Sequence, residues 1–383
     1  MGKADTNRLC YSVFLWILIS IAGATGCDDA SPAEGDSLRR DTAQTVDVFM
    51  PSVDALEDGW NSLTPGGDTI CARGMGYSFL VRKGIVNRLI IDFSGGGACW
   101  DEVSCRQGSE MFNETADGRV VKQETLELGG IYDITNTENP FRDWHHVYVS
   151  YCTGDVHWGN ATTRYGKGAD AFSIEHRGAV NVAAVLRWVY ENYADPDDIL
   201  VTGVSAGAYG SIFWAPVIMD HYPNARITQL ADAGAGVMPN GYLTQLLTTW
   251  GATEAMADWW PDTAPVYEDI YIAIANAYPE HRFSQINSAY DDVQVFYYGT
   301  MGGNGAADWN EKMMASQAAI SQHTTNFFSY VAQGDTHGAI LWDDFYGTSV
   351  ADVSVLDWMK GLLFDEVPVS VGCPDCITGG GGI

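Results

Sequence analysis

Five consecutive residues, Gly203-Val204-Ser205-Ala206-Gly207, constrain this chain more than any other feature. They follow a strand-like run over residues 198–202 and precede a helix-like run over 206–214. A serine between small residues at such a junction sits on a strained turn. Cβ atoms at the two glycines would collide with neighbouring backbone. The turn lifts the hydroxyl clear of the sheet and starts a helix behind it. The bland alternative is a tight strand-to-helix turn with a surface serine. Strand and helix in this order favour a nucleophile.

The surrounding pattern alternates strand and helix. Residues 88–93 and 146–150 read as buried strands. Residues 177–193 read as a helix with Val182, Val185, Leu186 and Val189 on its apolar face and Asn181, Arg187 and Glu191 turned away. Asp195-Pro196 stops it. Further strands are expected over 226–230, 283–287 and 326–332, and a closing helix over 353–363. This order implies an α/β fold, a mostly parallel sheet flanked by helices. With the serine turn it reads as α/β-hydrolase-like. The 383 residues, 46% hydrophobic, suffice for one large catalytic domain, expected over 55–377.

The ends read differently. Lys3 and Arg8 precede a short apolar run over 11–22, as in an export signal. Ala24-Thr25-Gly26-Cys27 is similar to the lipobox of bacterial lipoproteins, with Cys27 the lipidated residue; ordinary secretory cleavage is the alternative. Residues 1–27 are therefore expected as a leader and 28–54 as a polar tether. Residues 378–383 read as a flexible tail. Export places the cysteines in an oxidising compartment. Six of eight remain after Cys10 and Cys27. Fifteen pairings are open, but spacing pairs Cys99 with Cys105 and Cys373 with Cys376, which leaves Cys71 with Cys152. A zinc site at Cys373-Pro-Asp-Cys376 lacks a second ligand pair.

Twenty Lys+Arg stand against 49 Asp+Glu, a net charge of −29. Nucleic acid is excluded as a partner, because phosphate binding needs a basic surface. The only membrane contact expected is the N-terminal lipid anchor. No metal or organic cofactor is implied, and the chain reads as a monomer.

A serine nucleophile needs a base, an acid that orients the base, and donors for an oxyanion. Three histidines follow Ser205 with a strand intervening: His281, His323 and His337. His337 is the expected base, in the polar, glycine-bounded loop Gly334-Asp335-Thr336-His337-Gly338. His281 lies before a strand and His323 starts one, so both read as surface or packing residues. The acid is Asp291 or Asp292, after the strand at 283–287; Asp308 and Asp335 are weaker choices. One oxyanion donor is the Ala206 amide. The other comes from Ser94-Gly95-Gly96-Gly97-Ala98, where missing Cβ atoms let amides approach a substrate. The lysine of a phosphate-binding loop is missing there.

Five segments then carry a family resemblance. Phe93-Ser94-Gly95-Gly96-Gly97-Ala98-Cys99, with Cys105 six residues on, is similar to a motif of pectin acetylesterases and the related Notum carboxylesterase. Tyr151-Cys152-Thr153-Gly154-Asp155-Val156-His157-Trp158-Gly159 resembles their second motif, and Gly203–Gly207 the third. Asp232-Ala233-Gly234 resembles a further one. Ala289-Tyr290-Asp291-Asp292-Val293-Gln294 resembles the acid motif, with aspartate three residues before glutamine. The resemblance implies Ser205, Asp291 and His337 as a triad. It implies the amides of Gly96, Gly97 and Ala206 as oxyanion donors, and disulfides Cys99–Cys105 and Cys71–Cys152. The chain departs from the family at Ser94, where an acid is common, beside Ala98, and at Ala235 and Gly236, where aromatic bulk is usual.

These readings point to an exported serine carboxylesterase that deacetylates a plant-type polysaccharide. A lipase, polyester depolymerase or long-chain deacylase could use the same triad. A surface lipoprotein that only binds is the reading outside enzymes, and the ordered triad argues against it. The charge argues against long de-esterified pectin relative to neutral acetylated xylan or heavily esterified pectin. Trp100, Trp158, Trp259 and Trp260 are candidate sugar-stacking residues. Asp155 and His157 either line the cleft or brace the loop beside Cys152.

Overall fold

The computed structural model describes residues 50–252, 266–364 and 367–373. The leader with Cys27, most of the tether, Trp259, Trp260, Cys376 and the glycine tail lie outside them. The chain already contacts the domain at its first described residues. The Trp188 indole donates to the Pro51 carbonyl, and the Val53 amide to the Asn192 side chain.

The strands run β1 (Trp60–Leu63), β2 (Phe79–Arg82), β3 (Arg88–Phe93), β4 (His145–Val149), β5 (Ala161–Tyr165), β6 (Phe172–His176), β7 (Asp198–Val204), β8 (Arg226–Asp232), β9 (Arg282–Ser288), β10 (Phe327–Ala332), β11 (Ser349–Val350) and β12 (Val353–Ser354). The helices are α1 (Gly118–Thr125), α2 (Gly178–Asn192), α3 (Ala206–His221), α4 (Tyr242–Trp250), α5 (Tyr267–Ala277), α6 (Asp292–Thr300), α7 (Ala306–His323), α8 (Asp344–Gly347) and α9 (Val355–Phe364). One eight-stranded sheet has the order β1-β2-β4-β3-β7-β8-β9-β10. The pairs β1–β2 and β2–β4 are antiparallel, and all others in it are parallel. The mostly parallel sheet expected from the sequence is therefore present.

Burial explains the composition of its centre. Every residue of β7, Asp-Ile-Leu-Val-Thr-Gly-Val, is buried, as parallel strands covered on both faces require. Helix α3 is apolar nearly all round and packs on β7 and β8. Helix α2 shows the expected apolar stripe, but Asn181 does not face away. It is buried, and its amide accepts from the Ile70 N–H and donates to the Ile70 carbonyl, both at 2.9 Å. A buried amide is tolerated when its hydrogen bonds are made. His323 also differs from expectation, since it ends α7 rather than starting a strand. The expected closing helix begins two residues late, because Val353 and Ser354 first pair with β11.

The parallel strands all deliver their carboxyl ends to one edge of the sheet. β3 leads to the glycine loop, β7 to Ser205, β8 to Asp232, β9 to Asp291 and β10 to His337. That edge is where open α/β sheets place ligands.

Candidate active site

Ser205 adopts φ 58°, ψ −121°, a conformation costly for a residue with a side chain. Its backbone N–H donates to the Asp232 carbonyl at 2.9 Å, so β8 holds the turn. The helix behind the serine presses directly on β3. A Cβ at Gly207 would stand 1.7 Å from the Phe93 carbonyl oxygen. Only glycine fits there without moving backbone.

Ala206 opens α3, so its N–H has no intrahelical acceptor. Among the described residues no hydrogen bond uses the N–H of Gly96 or Gly97. The glycine loop is held from both sides. The Ala98 N–H donates to Met111, the Cys99 N–H to Gly154, and the His157 Nε2 to the Ser94 carbonyl at 2.9 Å. Burial pushes the His157 pKa down to about 4, so it serves as a neutral donor. Asp155 accepts from the Gly178 and His157 amides and from Thr153, and burial pushes its carboxyl up to about 6. Of the two readings open from the sequence, both residues brace the loop. The disulfides Cys99–Cys105 and Cys71–Cys152 are formed, the first just past the glycines and the second at Cys152 beside this brace. Cys373 is buried.

His337 Nδ1 lies 2.9 Å from both oxygens of Asp291. Asp291 is fully buried, caps α6, and accepts from the Gln294 amide N–H and side-chain Nε2. A carboxylate accepts, so His337 carries its proton on Nδ1 and leaves Nε2 as the acceptor. That Nε2 is buried and has no protein partner. His337 and Ser205 line the same cavity. Asp292 is exposed and Asp335 is exposed; Asp308 bonds Lys312 and Tyr298. None of the three touches His337. His281 is engaged with the Ile227 amide.

Two further residues were not singled out for a role in the sequence. Gln294 bridges the acid to its surroundings, donating to Asn287 and accepting from the Ala235 amide at 2.8 Å. Asp232 is buried at the end of β8, and its Oδ2 accepts from the Ile340 amide at 2.8 Å, three residues past His337. Burial pushes its carboxyl up to about 7. The aspartate-to-glutamine spacing and the Asp-Ala-Gly motif were the signals that could have found them.

The cavity beside Ser205 holds about 70 Å³ and is walled by Trp100, Trp158, Tyr209, Trp250, Tyr297 and Trp309. Trp100 and Trp158, expected as sugar platforms, are buried walls of this apolar space instead. The Trp158 indole donates to Tyr209 and stacks on Phe213. At Gly236 a Cβ would fall 1.8 Å from Tyr267. Tyr267 thus occupies the place of the aromatic bulk missing from that loop, and its ring meets Tyr209 of the cavity wall.

The comparisons with known proteins agree with this architecture. The pectinacetylesterase family profile matches residues 68–245. Over this stretch the chain is similar to the pectin acetylesterase/Notum family. Pectin acetylesterase 5 of Arabidopsis thaliana is 24% identical over 203 residues, 51% of this chain and 46% of that protein. Pectin acetylesterase 7 of the same plant is 26% identical over 171 residues, 43% of this chain and 42% of that one. The matches thus span under half the length of these curated relatives. Among solved structures, the Wnt deacylase Notum from Drosophila has the same fold. Its TM-score is 0.59 at 16% identity, over 81% of this chain and 97% of that one. A second crystal form gives 0.54 at 17% identity, over 80% and 96%. The family's α/β-hydrolase fold is the fold of this chain.

Proposed function

We propose that this chain is an exported serine carboxylesterase that removes short acyl groups, acetyl above all, from a glycan. The observation that carries the reading is the Asp291–His337 pair, whose free, buried Nε2 faces the cavity of a strained Ser205. The Ser205 Oγ attacks the ester carbonyl while His337 Nε2 takes its proton. The oxyanion accepts from the amides of Gly96, Gly97 and Ala206. Collapse expels the alcohol, which takes the proton from His337. Water, deprotonated by the same nitrogen, then hydrolyses the acyl-enzyme.

Cavity size favours a short acyl group. A water needs roughly 10–15 Å³ on this measure, so about 70 Å³ is room for a few heavy atoms. A long-chain acyl group is the second reading, because the walls are mostly apolar and the structural neighbours are named Wnt deacylases. Export draws support from two disulfides; among the described residues no helix is long and apolar enough to cross a membrane.

The test is fluorophosphonate labelling together with hydrolysis of nitrophenyl esters of increasing chain length. We expect Ser205→Ala to abolish labelling and to lower kcat roughly a thousandfold or more. We expect acetate and butyrate esters to outrun laurate. Labelling that survives in Ser205→Ala would exclude the mechanism; a laurate preference would move the assignment to long-chain acyl groups.

A further inference from the structure

A second recess also reaches Ser205. It is a groove of about 370 Å³ that shares Gly97, Ser205, Val293, Tyr297 and His337 with the apolar cavity. Its remaining lining is mixed: Asn113, Glu124 and the hydrogen-bonded pair Ser94–Tyr148 stand beside Leu128 and Leu341. It continues past Thr125, Leu128 and Tyr132, which it shares with a wider groove of about 730 Å³. That groove is flanked by Trp342, a large aromatic left 45% exposed. At its floor Arg82 is 4% exposed, and its Nε and Nη2 have no protein partner.

We propose that this run of grooves binds the alcohol half of the substrate as an extended neutral glycan, with Trp342 as its stacking platform. The inference rests on the esterase reading for its direction: the acyl group enters the small aromatic-walled cavity, so the alcohol must leave through the other recess that reaches Ser205 and His337. Three observations select the occupant. The path is long and open, as a polymer needs and a small alcohol does not. An exposed indole at the groove suits a sugar, which offers an apolar ring face to stack on it. The charged rim is acidic: Glu124, Glu127, Asp133, Asp343 and Asp344 line it, against the single buried cation Arg82. A carboxylate on each sugar would meet like charge at several points, on a chain already at −29. The rim therefore discriminates against uronate chains, although the family is named for pectin.

The experiment has a kinetic and a binding arm. The kinetic arm compares kcat/KM on acetylated xylo-oligosaccharide with that on 4-nitrophenyl acetate. Trp342→Ala is expected to lower the ratio of the two about three- to tenfold, the size of one aromatic contact. The exposed double change Glu124→Gln, Glu127→Gln is expected to raise activity on acetylated oligogalacturonate relative to xylo-oligosaccharide severalfold at low salt, and less at high salt. The binding arm titrates Ser205→Ala protein by calorimetry with unacetylated xylo-oligosaccharide and oligogalacturonate. Binding of the neutral sugar, weakened by Trp342→Ala, upholds the groove even if no ester is hydrolysed, in which case only the esterase reading falls. An unchanged ratio in Trp342→Ala with esterase activity intact overturns the groove. So does tighter binding of oligogalacturonate than of xylo-oligosaccharide.

Discussion

Replacing Asp232 by asparagine isolates one buried carboxyl beside the active site. Its pKa rises from the ordinary 3.8 to about 7, with burial the largest cause. The protonated form is thus favoured in the folded protein. Stability from this group is fully present below pH 3.8 and is lost as pH rises through about 7. At about 1.4 kcal/mol per pH unit, the full loss is about 4 kcal/mol for this side chain, which is 1% exposed. About 3 kcal/mol of it falls between pH 5 and pH 8. Asparagine can still accept from the Ile340 amide but does not ionise. Urea unfolding at pH 5 and pH 8 reads the effect from the midpoint and slope. Asp155, pushed up to about 6, loses stability in the same direction in both proteins and cancels in the comparison. The wild type should lose about 3 kcal/mol more than Asp232→Asn over this interval. Parallel losses in the two proteins would refute the assignment of this pH dependence to Asp232.

Four other variants address separate parts of the site and of the fold. Gly207→Ala forces a Cβ against the Phe93 carbonyl and should cost about 3 kcal/mol or more in thermal unfolding, with loss of fluorophosphonate labelling. Gln294→Leu removes the side-chain donor to Asp291 and the acceptor of the Ala235 amide. Because the backbone donor survives, kcat should fall about 10- to 100-fold with little change in KM, and an unchanged kcat would contradict a positioning role. Opening Cys71–Cys152 by a double serine substitution frees a loop of 81 residues and should cost about 4–5 kcal/mol, whereas opening Cys99–Cys105, six residues apart, should cost about 2 kcal/mol. Equal losses in urea unfolding would argue against the loop-entropy account.

Local signals made much of the site legible. The serine turn needs small residues where α3 meets β3, and the distance at Gly207 supplies the reason. The β7 and β3 runs are apolar because both faces are covered. Adjacent acids after a strand look equivalent, and only the resemblance of the acid motif, with aspartate three residues before glutamine, favours Asp291 over Asp292. Burial separates them: one caps α6 beneath His337 and the other faces solvent. Asn181 was misread because a helical wheel scores amides as outward, while this one satisfies both backbone groups of Ile70 from 111 residues away. His323 was misread for a related reason, since α7 lacks a stop signal before it.

What the sequence hid is chiefly what depends on distant segments meeting. The apolar cavity draws Trp100, Trp158, Trp250 and Trp309 from four separate segments, and no local pattern distinguishes a cavity wall from core. The missing aromatic at Gly236 reads locally as a wider pocket. Tyr267 fills that space from α5, so substitution in one loop did not enlarge the cavity. The alcohol side is harder still, because its acids lie on α1, its following loop and the segment after His337, each an ordinary solvated surface in isolation. Brought together around Trp342 they become a charged rim. The half of the site around Ser205, Asp291 and His337 is thus set by motif and strand order. The half proposed to hold the alcohol is set by tertiary convergence, and it is there that two chains with the same three residues can diverge in substrate.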